Sequence, residues 1–118
     1  MTFDPFAQFR MNEQVALITG GAQNIGEAIA RTFAGAGAKV MIADLNGEKA
    51  EETAKKIAAE TGQGVLGMKC DVTDETQIKK CVAKTVEAFG GLSTLVNNVG
   101  WGEVNPDPLA VTNDQMIA

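Results

Sequence analysis

The sequence predicts an α/β fold, a doubly wound parallel sheet of four strands in the order 3-2-1-4. Three observations predict it. Short apolar runs of strand length alternate with longer stretches whose apolar residues recur every three or four positions, the pattern of successive βαβ units. Glycines close each helical stretch: Gly35 and Gly37, then Gly62 and Gly64, then Gly90 and Gly91. A glycine-rich segment, Thr19-Gly20-Gly21-Ala22-Gln23-Asn24-Ile25-Gly26, joins the first strand to the first helix. Crossovers between parallel strands are right-handed, so helices cover both faces. The order 3-2-1-4 follows if the chain reverses its direction of travel after strand three. A crevice then opens at the carboxyl ends of strands one and four, where such sheets bind ligands.

The elements follow in order. Residues 14–19 read as strand one, nearly all apolar and therefore buried on both faces. Over 25–36 the apolar residues fall at Ile25, Ala28, Ile29 and Phe33, a helical spacing. Residues 39–44 form strand two. Asn46 is placed to cap a helix that runs to about residue 61, with Ala50, Ala54, Ile57 and Ala58 on one face. Its other face sets Glu51 against Lys55 and Glu52 against Lys56 at i,i+4, which reads as a solvated surface. Residues 65–70 form strand three. Thr73 is placed to cap a third helix to about residue 89, with the stripe Ile78, Cys81, Val82, Val86 and Phe89. Residues 93–97 form strand four. A loop with Gly100, Gly102, Pro106 and Pro108 follows, and Asn113 opens a further helix. The expected organisation is a lead over 1–12 and one domain over 13–118.

Composition narrows the function. The 118 residues are 45% hydrophobic and 21% charged, as in a soluble globular domain, and no apolar run spans a bilayer. Ten basic against fifteen acidic residues give a net charge of −5, so nucleic acid and anionic membrane surfaces are poor partners. There is no histidine, which removes imidazole bases and most zinc sites, and no tyrosine. The two cysteines, Cys70 and Cys81, read as small buried hydrophobes suited to a reducing cytoplasm, and no metal site is expected. The first ten residues carry no apolar core of signal-peptide length.

The segment 19–26 carries the chemistry. A glycine-rich turn that feeds a helix presents unpaired backbone N–H groups and the positive end of the helix dipole, a natural seat for a pyrophosphate. Gly20 lets the chain turn tightly, and Gly26 lets helix and strand approach. An ordinary tight strand-to-helix turn is the plainer reading. Asp44 ends strand two, eighteen residues after Gly26. A carboxylate there accepts both hydroxyls of an adenine ribose and repels a ribose phosphate. No Arg or Lys lies in the turn and Leu45 follows Asp44, so NAD is favoured over NADP. A helix-capping or surface role for Asp44 is the alternative.

These residues bring out a family likeness. The chain resembles the first half of a short-chain dehydrogenase/reductase, a Rossmann-type oxidoreductase. Four matches in register carry the resemblance, from about Asn12 onward: the T-G-G-A-Q-N-I-G turn, Asp44, the pair Asp71-Val72 after strand three, and Asn97-Asn98-Val99-Gly100 after strand four. The resemblance implies that the backbone of Gln23, Asn24 and Ile25 lies along the pyrophosphate. It implies that Asp71 bonds the adenine amino group, with Val72 beside the ring. Asn97, Asn98 and Val99 would hold strand four and line the adenosine side, and Gly100 would let the cofactor pass close to the backbone. Asp71 can instead simply start the turn before Thr73, and Asn97 and Asn98 can be turn formers. Two positions depart from the family pattern. Asn24 stands where a glycine is usual, and asparagine tolerates positive φ best among side chains. Val99 replaces a common alanine. Trp101 follows, either walling a flat apolar substrate or packing on its own domain.

The family implies hydride transfer between a nicotinamide and an alcohol or carbonyl. Its proton transfer uses a tyrosine, a lysine and a serine beyond residue 118. The chain is therefore expected to be the cofactor-binding half of a longer enzyme, with no catalytic residue of its own, inactive alone and homo-oligomeric at full length. An exposed fourth strand is expected to make the isolated chain self-associate. The stretch after strand four is similar to that of bacterial hydroxysteroid dehydrogenases, while sugar-alcohol dehydrogenases and oxoacyl reductases remain open. A non-catalytic nucleotide-binding or truncated interaction module is the competing reading. A methyltransferase-type domain is a third, opposed by the Thr-Gly opening and the Asn97-Asn98 pair.

Overall fold

A computed structural model of the chain describes residues 7–98. A short 3-10 turn, Ala7–Phe9, precedes β1 (Val15–Thr19), α1 (Asn24–Gly35), β2 (Lys39–Asp44), α2 (Gly47–Thr61), β3 (Val65–Lys69), α3 (Glu75–Phe89) and β4 (Thr94–Asn97). The four strands are parallel and ordered β3-β2-β1-β4, as the pattern predicts. In register, Leu17 lies between Met41 and Leu95, and Thr19 lies between Ala43 and Asn97.

Both faces of the sheet are covered because alternate residues of each strand meet different helices. Ile18, Val40, Ile42 and Val65 pack with Ala30 and Ala34 of α1 and with Ala50, Ala54 and Ile57 of α2. Leu17, Met41 and Ala43 pack on the other side with Cys70 and with Cys81 of α3. All five residues of β1 are buried, so its unbroken apolar run is the mark of a central strand. Small residues at the helix–sheet contacts let α1 and α2 lie close to the strands. Arg31 ties those helices together, with Nε 2.6 Å from Glu60 and Nη1 3.0 Å from Glu27. The two carboxylates hold the Arg31 guanidinium above its ordinary range.

The structure corrects the expected faces of two helices. In α1 the buried row is Gly26, Ala30 and Ala34, with Ile29 and Phe33 at its flank. Ala28 is exposed, and Ile25 is 70% exposed. The close approach of Gly26 to the turn sets the helix rotation and leaves Ile25 on the outside of the first turn. In α3 the buried residues are Cys81 and Thr85, while Ile78 and Val86 are 38% and 43% exposed. Thr85 enters the core because its hydroxyl donates to the Cys81 carbonyl at 2.8 Å and leaves no unpaired polar atom.

The caps show one agreement and one correction. Asn46 caps α2 by accepting from the Lys49 N–H at 3.0 Å. For α3 the cap is Asp74, which accepts from the N–H groups of Thr76 and Gln77, and not Thr73. The Thr73 hydroxyl is already bound to the Asp71 carboxylate at 2.6 Å. Gly62 and Gly90 end α2 and α3 in left-handed conformation, as their positions foretell. The acidic and basic residues Glu51, Glu52, Lys55 and Lys56 all face outward. Among the described residues no helix is long and apolar enough to cross a membrane.

Candidate functional site

The site grows from the end of β1. Gly20 turns the chain at φ 63°, a conformation natural to glycine, and its N–H donates to the Ala43 carbonyl at 2.7 Å. Asn24 opens α1 at φ 56°, so the residue that replaces a glycine does adopt the left-handed backbone. Gly26 lies against the turn so closely that a Cβ would collide with the Gly20 carbonyl and with the Asn98 side-chain amide. Only glycine fits there.

Asparagines at the end of β4, Asn97 and Asn98, secure the turn from the other side. The Thr19 hydroxyl donates to Asn97 Oδ1 at 3.1 Å, with the Val96 carbonyl at 3.3 Å, and accepts from the Asn98 N–H at 3.0 Å. Asn98 Nδ2 donates to the Gly20 carbonyl at 3.2 Å. These bonds stitch the end of β4 to the glycine-rich turn across nearly eighty residues of sequence, the physical content of the Asn97-Asn98 pair.

Asp44 completes the arrangement. Its Oδ2 accepts from the Ala22 N–H at 3.2 Å and its Oδ1 accepts from the Asn46 N–H at 3.0 Å. A carboxylate has about four acceptor positions, so two remain for a ligand. A crevice of about 310 Å³ opens between these parts, lined by Gly20, Gln23, Asn24, Ile25, Asp44, Leu45 and Asn98. All seven belong to the residues singled out in the sequence. Asn46 and Asp74 cap α2 and α3, whereas Gln23 makes no side-chain cap bond at the head of α1. The head of α1 lines the crevice through Gln23, Asn24 and Ile25, with no side-chain cap from Gln23 on its first-turn N–H groups. The helix head suits an anion and the Asp44 carboxylate suits hydroxyl donors.

Asp71 and Val72 stand apart from that crevice. Asp71 Oδ1 accepts from both the N–H and the hydroxyl of Thr73, at 2.9 and 2.6 Å, in the turn before α3. The Thr73 bonds hold its carboxyl below the usual carboxylate range. Val72 and Asn97 line a neighbouring apolar cavity of about 190 Å³ with Leu17, Cys70, Cys81 and Leu95. Val99, Gly100 and Trp101 lie outside the described residues. The sequence reading missed Thr53, whose buried hydroxyl donates to the Ala22 carbonyl at 2.7 Å. Its place on the alanine face of α2, three residues after Ala50, does not tell in sequence which carbonyl the hydroxyl takes.

The family model for short chain dehydrogenase matches residues 14–117. The chain belongs to the short-chain dehydrogenase family. Among the curated relatives of this family member is a 4-formylbenzenesulfonate dehydrogenase of Comamonas testosteroni, 45% identical over 89% of this chain. A 2,5-dichloro-2,5-cyclohexadiene-1,4-diol dehydrogenase of Sphingobium indicum is 48% identical over 77% of it. A sorbitol dehydrogenase of Cereibacter sphaeroides is 40% identical over 82%. The matched regions span 41%, 36% and 36% of those three proteins.

Proposed function

We propose that the protein is an NAD-dependent oxidoreductase acting on an alcohol or carbonyl substrate, in which the segment 13–118 forms the nucleotide-binding portion. One observation carries the reading: Asp44 and the uncapped head of α1 line a single crevice together with Gly20. The crevice residues fit a dinucleotide. The N–H groups of Gln23, Asn24 and Ile25 bind the pyrophosphate, and Asp44 accepts the ribose hydroxyls with Leu45 beside it. By the family resemblance, Asp71 and Val72 serve the adenine end, and Val99 and Gly100 belong to the cofactor-binding residues. The bound nicotinamide supplies the hydride acceptor or donor.

Preference for NAD follows from charge. A ribose phosphate about 5 Å from Asp44 would meet a repulsion of about 3 kcal/mol per charge pair at an effective dielectric of about 20. The three relatives are named as dehydrogenases of a formyl compound, a ring diol and sorbitol, which supports an alcohol or carbonyl substrate. The proposal assigns these residues to holding and orienting the cofactor and gives them no proton transfer, since the 118 residues include neither tyrosine nor histidine. Two buried free thiols suit a reducing cytoplasm. A homo-oligomeric full-length form belongs to the same reading.

Parallel fluorescence titrations with NADH and NADPH test the reading. NADH is expected to bind at least about tenfold more tightly, a difference of about 1.4 kcal/mol. Equal or tighter binding of NADPH would remove the role given to Asp44.

A further inference from the structure

Threonines inside helices commonly return their hydroxyl to the carbonyl four residues back. Thr32, Thr61 and Thr85 all do so, donating to Ala28, Ile57 and Cys81 at 2.8 Å each. Thr53 does not. Its Oγ1 leaves α2 and donates to the Ala22 carbonyl in the turn after β1, at 2.7 Å and thirty-one residues away. Thr53 is 2% exposed and Ala22 is 1% exposed, so no water competes for this bond.

The peptide plane turns this bond into a directional device. A trans peptide is planar, so the Ala22 carbonyl and the Gln23 N–H point in opposite directions. A carbonyl held toward α2 sends the Gln23 N–H away from α2, and Gln23 lines the crevice. The preceding peptide is held as well, because the Ala22 N–H donates to Asp44. Asn46 closes the circuit: its N–H donates to Asp44 and its side chain caps α2, the helix that carries Thr53.

We propose that Thr53 is a positioning residue for the anion-binding turn: by fixing the Ala22–Gln23 peptide plane it aims the Gln23 N–H at the pyrophosphate. The proposal rests on the nucleotide reading and adds a part of the site that touches no ligand. A turn held in its binding conformation loses little freedom when the anion arrives, so the gain falls on phosphate-bearing ligands alone.

The test compares wild type with Thr53→Val, which keeps the shape and removes the hydroxyl, and Thr53→Ser, which keeps the hydroxyl. Each full chain is titrated with NADH and with adenosine, which has no phosphate. Amide hydrogen exchange is followed at 23–26 without ligand. Thr53→Val is expected to weaken NADH about tenfold, to leave adenosine within twofold, and to speed exchange at 23–26. Thr53→Ser is expected to restore all three. If Thr53→Val does not fold, Thr53→Ala carries the same expectations. Unchanged NADH binding and exchange in the variant would overturn the proposal. Equal losses for NADH and adenosine would also overturn it, since they mark a general structural role. Wild-type protein that binds neither dinucleotide overturns the functional reading and this proposal together, whereas wild-type binding that is insensitive to Thr53 overturns this proposal alone.

Discussion

Asp44 does two jobs with one carboxylate. It holds the turn by accepting from Ala22 and Asn46, and it keeps acceptor positions free toward the crevice. Asp44→Ala is expected to lower the preference for NADH over NADPH by about 1–3 kcal/mol, read from paired titrations, because the charge that opposes a ribose phosphate is gone. The same change strands the Ala22 N–H and should lower the urea midpoint. Asn24 makes a second residue-scale prediction. Its φ of 56° disfavours any residue with an ordinary Cβ, so Asn24→Ala should cost about 1 kcal/mol while Asn24→Gly should stay near wild type by the same urea assay. Both residues were legible in the sequence. Asp44 stands at a strand end, and asparagine in a glycine's place announces the left-handed backbone. Thr53 was not legible, because a threonine in an alanine-rich helix looks the same whether its hydroxyl returns to its own turn or crosses to another element.

At the scale of elements, the four strands and three helices expected within the described residues lie where the apolar spacing puts them, with ends that agree within about two residues, and the helix expected at Asn113 lies outside the described residues. Orientation was harder. The three-and-four spacing in α1 is satisfied both by the row that holds Ile25 and Ala28 and by the row that holds Gly26, Ala30 and Ala34. The demand that Gly26 touch the Gly20 carbonyl selects the second row. The α3 cap shows the same logic. Thr73 and Asp74 are both good cap residues, and competition for the Thr73 hydroxyl by Asp71 leaves the position to Asp74. Asp74→Ala should therefore destabilise the protein by about 1 kcal/mol in urea unfolding. Thr73→Ala should act mainly through the Asp71 turn, whose carboxyl would rise toward its ordinary value. Since Asp71 is held low in the fold, its contribution to stability is present at neutral pH and is lost as pH falls through the lowered value.

At the scale of the whole molecule, two thiols meet on the α3 side of the sheet, away from the crevice. Burial and the neighbouring Cys70 push the Cys81 thiol up to about 12, from 9.0. Cys70 is raised as well, chiefly by burial. Above pH 9 the unfolded chain releases protons that the folded chain keeps, so stability must fall as pH rises from about 9 to about 12. Thermal melts across that range should show the decline, and Cys81→Ala should flatten it without abolishing it, because Cys70 still contributes. A melt temperature independent of pH above 9 would contradict this account.

The order of apolar runs, the glycine punctuation and the motif at 19–26 determined the parallel α/β sheet, the family and seven crevice residues, because these depend on local backbone demands and on which side chains must leave water. The tertiary structure alone decided which row of α1 meets the sheet, which residue caps α3, that Asp71 closes on Thr73 and that Thr53 reaches Ala22. Each of those is a choice among partners of nearly equal chemistry. Such a choice is settled only when separate segments are brought within hydrogen-bonding distance and compete for the same few atoms.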